Sequence, residues 1–138
     1  MNLLDLALCV LSRLGAPEAE AVAFAEVASA ACPDSSCVVA SAVIWRMETG
    51  GTFTLTPSTR HACGPLQVTP ASAGQTCREV SVPDVGIRAG VRVWLAKVRR
   101  VGGVREAAFR AYNGHPRHRD GYGRRAWRLY RSTIQACE

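Results

Sequence analysis

Apolar residues recur along most of the chain at the three- and four-residue spacing of helices that bury one face. Leu3, Leu4, Leu8, Leu11 and Leu14 form the first such stripe, and Gly15 ends it. Pro17 suits the first position of a second helix reaching about Ala30, since its missing N–H is one that no helix start can satisfy. Ser35 or Ser36 is placed to cap a third, from Cys37 to about Met47, which delivers Glu48 ahead of Gly50-Gly51. From Thr49 to His61 the chain turns rich in Thr, Gly, Ser and Pro, and Thr52-Phe53-Thr54-Leu55-Thr56 alternates as a short strand or hairpin does. Thr69-Pro70 opens a brief helix. Pro83-Asp84 opens a long one, with Asp84 as its cap and Ile87, Val91, Trp94, Leu95, Val98 and Val101 as its stripe. Val104 to Tyr112 reads as another, broken by Asn113-Gly114. The last starts near Tyr122, with Tyr122, Ala126, Leu129, Tyr130, Thr133 and Ile134 on one face and Arg124, Arg125, Arg128 and Arg131 on the other. The expected fold is mainly α, a helical bundle with one short irregular or β-hairpin segment after the third helix.

A length of 138 residues fits one compact domain over 1–138 with a real core. No run of apolar residues reaches the ~18 needed to cross a membrane. The N-terminal stretch lacks a positive start and carries Asp5, so it reads as a helix and not as an export signal. Charge is uneven: residues 1–48 carry a net −4, residues 49–85 balance, and residues 86–138 carry a net +10. A basic half of this kind draws polyanions, or is simply a solvated arginine surface. Six cysteines permit three disulfides in any of fifteen pairings, and would then imply work outside a reducing cytoplasm. Cys32 and Cys37 flank a Pro-Asp-Ser-Ser turn, Cys63 and Cys77 bracket a loop, and Cys9 and Cys137 lie on the terminal helices. Buried thiols are the alternative. No Cys/His spacing suits a metal, and no organic cofactor is implied.

Glu48 stands out because of its company. A carboxylate in the last helical turn faces the negative end of the helix dipole, and Ile44, Trp45 and Met47 surround it with apolar groups. Both effects raise a carboxyl pKa, and a carboxylic acid protonated near neutral pH can protonate a glycosidic oxygen. Alone, Glu48 reads more readily as a solvated helix-end residue.

Four fragments in order change that balance. Met47-Glu48-Thr49-Gly50-Gly51 is similar to the Glu-Ser-Gly-Gly signature of soluble lytic transglycosylases and the related goose-type lysozymes. Gly64-Pro65-Leu66-Gln67-Val68-Thr69-Pro70 resembles that family's Gly-Leu-Met-Gln-hydrophobic-x-Pro motif, with Pro65 and Leu66 as departures. Gly86-Ile87-Arg88-Ala89-Gly90-Val91 resembles its Asn-Ile-x-x-Gly helix start. Ala111-Tyr112-Asn113-Gly114 resembles its Ala-Tyr-Asn motif, and Tyr122-Gly123 the tyrosine that follows. The resemblance covers roughly residues 36–131. It implies an α+β lysozyme-like fold and cleavage between N-acetylmuramic acid and N-acetylglucosamine in peptidoglycan.

By resemblance Glu48 acts first as acid and then as base, closing a 1,6-anhydro ring on the muramic residue. Thr49, Gln67, Tyr112, Asn113 and Tyr122 are the expected substrate-binding residues. Gln67 can address N-acetyl or hydroxyl groups, Thr49 can bond substrate or Glu48, and Tyr112 and Asn113 can position the carboxyl and the sugar. Each also has a plainer reading, as a loop residue, a core tyrosine or a helix terminator. No second catalytic carboxylate declares itself: Asp84 reads as a cap, Glu79 as a loop residue, and Asp120 as an ion-pair partner among His118, Arg119 and Arg124. That favours the transglycosylase over a lysozyme-type hydrolase. His115, His118 and the nearby arginines make a basic lip suited to anionic stems or wall polymers. Rival readings are a non-catalytic module of a virion or secretion machine, and phosphate contact by the last helix. Nucleic acid is not the expected partner. Delivery to the bacterial wall by a phage, as endolysin or virion component, or by a secretion system, is the setting the resemblance implies.

Overall fold

A computed structural model describes residues 1–57, 61–114 and 121–138. The described residues form eight helices and no strand: α1 (Leu3–Leu14), α2 (Glu18–Ala31), α3 (Ser35–Glu48), α4 (Pro70–Ala73), α5 (Cys77–Val80), α6 (Pro83–Val101), α7 (Glu106–Asn113) and α8 (Tyr122–Cys137). The fold is mainly α, as the periodicity predicts. None of these helices is long and apolar enough to cross a membrane.

α3 is the axis of the molecule. Every residue from Cys37 to Trp45 is buried, all of them apolar but Ser41, whose hydroxyl donates to the Cys37 carbonyl, and the helix is sheathed by α1, α2, α6 and α8. Its start is fixed by Asp34, whose side chain accepts the Cys37 N–H at 3.0 Å and the Ser36 hydroxyl at 2.7 Å. The cap expected at Ser35 or Ser36 therefore falls to Asp34: a carboxylate next to the exposed N–H groups is the stronger acceptor. At the far end Trp45 stacks on Phe24 at 4.3 Å and meets the Phe53 edge at 5.0 Å. These rings anchor the chain that leaves the helix.

That anchoring removes the strand expected at Thr52–Thr56. The Trp45 indole N–H donates to the Thr54 carbonyl at 2.9 Å, and Phe53 is buried with φ 54°, a left-handed conformation no strand accommodates. Among the described residues antiparallel pairing appears instead at a single bridge, Cys63 with Val68, which closes a tight turn over Gly64–Gln67 with N–H···O distances of 2.9 and 3.0 Å.

Other elements depart in detail. α1 buries Leu6, Ala7, Val10, Leu11 and Leu14 and leaves Leu4 exposed, because it packs on three helices and needs a wider face than the leucine stripe. Asp84 lies inside the first turn of α6; Pro83 occupies N1 and Val82 the cap position. Glu79 belongs to α5, where it and Thr76 form a reciprocal capping box, and those bonds hold its carboxyl below the ordinary value. Thr69 and Pro70 start α4 as the sequence predicts.

Three disulfides join Cys9 to Cys137, Cys32 to Cys37 and Cys63 to Cys77. The first ties α1 to α8. The last belongs to a small second core of Cys63, Val68, Val80 and Ala89, beneath the segment that faces α6.

That segment lies very close to α6. A Cβ on Gly64 or Gly86 would sit 2.3 or 2.2 Å from the Val80 carbonyl oxygen, and one on Gly90 would sit 2.3 Å from Leu66 Cδ1. Only glycine permits this approach. The glycines of the Gly86-Ile87-Arg88-Ala89-Gly90 fragment are thus the bed on which the Leu66–Gln67 turn rests.

Candidate active site

Glu48 is the last residue of α3, half-buried at the floor of a cleft of about 470 Å³. The cleft is walled by the turn around Gln67, by Val93 and Lys97 of α6, and by Tyr112 and Asn113 of α7. Its size suits a small ligand or a sugar segment. Among the described lining residues Glu48 is the only carboxylate.

Loss of water around the Glu48 carboxyl raises its pKa from 4.5 to about 7, against the opposing effect of a hydrogen bond from Tyr122. Tyr122 opens α8, and its hydroxyl donates to Glu48 Oε1 at 3.2 Å. It is buried in the α8 core face as well, so one residue serves both the packing and the acid.

Tyr112 acts elsewhere. Its hydroxyl donates 2.6 Å to the Leu66 carbonyl, not to Glu48, and so clamps the turn that carries Gln67. Burial first, and the Glu48 charge second, raise the phenol well above its ordinary value, which keeps it a neutral donor. Gln67 lines the cleft at φ 50°, but its amide nitrogen donates to the carbonyls of Gly64 at 3.0 Å and Pro57 at 3.3 Å. Its donor side braces the turn and is not offered to a sugar.

Thr49 is the clearest departure. Its hydroxyl donates to the Trp45 carbonyl at 2.7 Å and accepts the Phe53 N–H at 3.0 Å. It terminates α3 and starts the left-handed turn at Phe53, and it does not reach Glu48. A helix C-terminus leaves carbonyls without partners, and a threonine there satisfies one. Asn113 ends α7 beside Gly114, at φ 72°, and lines the cleft. The structure therefore brings Glu48, Gln67, Tyr112, Asn113 and Tyr122 to one site and assigns Thr49 to the helix end. Asp120, His115 and His118 lie outside the described residues.

Sequence reasoning missed His61, Ser72, Val93 and Lys97 on the cleft wall. For two of them a signal existed. Gly86, Gly90, Val93 and Lys97 are spaced by four, three and four, a second helical stripe on α6 beside the apolar one. Its small residues meet the turn, and its last two continue into the cleft. Among the described residues no three His, Cys, Asp or Glu side chains gather to hold a metal ion. No family model, curated protein or solved structure matches the chain.

Proposed function

We propose that the chain is a peptidoglycan lytic transglycosylase cleaving the β-1,4 bond between N-acetylmuramic acid and N-acetylglucosamine. The observation that carries this reading is a carboxyl with a pKa of about 7, alone among acids on the described wall of a sugar-sized cleft. Protonated Glu48 gives its proton to the glycosidic oxygen as the bond to the muramic C1 breaks. The carboxylate so formed, steadied by the Tyr122 hydroxyl, takes the proton from the muramic 6-hydroxyl as that oxygen attacks C1. Glu48 ends protonated, the leaving sugar has a free 4-hydroxyl, and the muramic end is a 1,6-anhydro ring. A single group acting twice makes the partner carboxylate of ordinary glycosidases unnecessary.

The α+β lysozyme-like arrangement is part of the same reading, with the 49–82 segment set across the cleft from the helical body. Three disulfides suit work at a bacterial wall outside the cytoplasm. Delivery by a phage, as an endolysin or virion component, or by a secretion system would bring it there, and anionic wall polymers would meet its basic half.

Digestion of purified peptidoglycan, with Glu48→Gln as control and mass spectrometry of released muropeptides, tests the reading. Products one water lighter, with anhydro ends and absent from the variant, are expected. Reducing ends would make the protein a hydrolase of the same bond. No release by either protein would leave a wall-binding or virion structural module.

A further inference from the structure

The cleft over Glu48 does not end at Lys97 and Gly114. Both residues also line a second depression of about 500 Å³ between α6 and α7. Its wall adds Arg100, three residues on from Lys97 along α6, and Arg110, four residues before Gly114 on α7. Three cations thus converge on one hollow, and no acidic residue lines it among the described residues. None of the three has a hydrogen-bond or ion-pair partner among the described residues. Arg100 and Arg110 each sit in the last turn of a helix, where a cation complements the dipole. That accounts for each charge separately. It does not account for two helix ends and Lys97 aiming at a space continuous with the cleft.

We propose that this depression receives a carboxylate of the peptide stem carried by the muramic residue in the cleft. The proposal rests on the reading of that cleft as a glycan site. The sugar backbone there offers no other anion. The 6-hydroxyl must be free, since it is the nucleophile, so it cannot carry an anionic polymer. The lactyl group on the 3-oxygen of the same ring is then the remaining attachment point, and its peptide bears carboxylates. Guanidinium groups match carboxylates in a bidentate fork, and Lys97 adds a point charge at the junction of the two hollows. The preference sets substrate choice: strands that keep their stems are taken ahead of stripped ones.

Equilibrium binding tests this without turnover. Glu48→Gln protein is titrated calorimetrically with the N-acetylglucosamine–N-acetylmuramic acid disaccharide, with its stem, without it but with the lactyl carboxyl amidated, and with the stem carboxylates amidated. The acidic stem is expected to tighten binding roughly tenfold, less so as salt rises. Adding Arg100→Gln and Arg110→Gln, both exposed side chains, should abolish that difference and bring the acidic ligand to the bare disaccharide's affinity. Equal binding of all three ligands, or a preference that survives the two substitutions, would overturn the proposal while leaving the glycan cleft standing. A preference kept by the amidated stem would also overturn it, assigning recognition to the peptide and not its charge. Failure of every ligand to bind would overturn the cleft reading together with this one. Salt-sensitive binding of a DNA duplex through the same arginines, with no stem preference, would reassign them to phosphate.

Discussion

Glu48 is held protonated at a cost to the fold, in the form that the proposed chemistry requires. Its carboxyl titrates at about 7 when folded and near 4.5 when unfolded. Between those values the folded chain keeps a proton that the unfolded chain has released, so stability falls as pH rises through the window. The penalty is complete above about pH 7 and on the order of 2–3 kcal/mol. Glu48→Gln should therefore stabilise the protein at pH 8 by about that amount and leave it nearly unchanged at pH 4, in denaturant titrations at the two pH values. An equal gain at both would mean that the carboxyl is not perturbed. Activity should likewise decline above about pH 7, where the acid form is lost. The Tyr122 hydroxyl favours the carboxylate, so Tyr122→Phe should move that alkaline limb to higher pH. An unchanged midpoint in the pH–rate profile would show that the hydroxyl does not act on Glu48.

Between helices, the Leu66–Gln67 turn and the glycine bed of α6 set the cleft's shape. Gly90→Ala puts a Cβ into the Leu66 side chain, so the turn must lift. Overpacking of this kind should cost about 1–3 kcal/mol and lower activity as well, by moving Gln67 and the carbonyl that Tyr112 holds. Gly102→Ala is the informative contrast: its φ is 81° with open space around it, so thermal melting should shift while activity does not. The long helices were legible in the sequence because a stripe of apolar residues needs only local spacing to be seen. Glu48 was legible for the same reason, as an acid in apolar company at a helix end. The described stretches 49–57 and 61–68 were not, since their conformation follows from distant partners: Trp45 claims the Thr54 carbonyl, and Gly86 and Gly90 admit the turn. Roles within the site were blurred likewise. Sequence placed Thr49 and Tyr112 near the acid, but only their hydrogen bonds show that one closes a helix and the other clamps a loop.

Across the fold, the covalent links follow the architecture. Cys9–Cys137 spans 128 residues and fastens the first helix to the last, whereas Cys32–Cys37 spans five at the α2–α3 corner. Chain entropy makes the long closure worth about 5 kcal/mol and the short one about 2 kcal/mol. The double substitution Cys9→Ser, Cys137→Ser should lower the unfolding free energy by about 3–5 kcal/mol, visible as an earlier urea midpoint, while anhydro-product formation in native buffer persists. A loss no larger than that from Cys32→Ser, Cys37→Ser would mean that the terminal helices are held by packing alone. The charge separation has the same breadth. The acidic first third supplies the axis and ends in Glu48, and the basic remainder supplies α6 and α8, which pack on that axis, and α7, which packs on those two.

The Cys63–Cys77 bond has a different consequence. The long helices clasp one another over a broad core, but the jaw opposite Glu48 reaches that core through Phe53 and Leu66 and otherwise rests on the small cluster of Cys63, Val68, Val80 and Ala89, one of them a cysteine of this bond. In a reducing medium the helical body would stand while that jaw slackened and Gln67 lost its seat. Loss of that one bond would blunt the cleft before it loosened the helices.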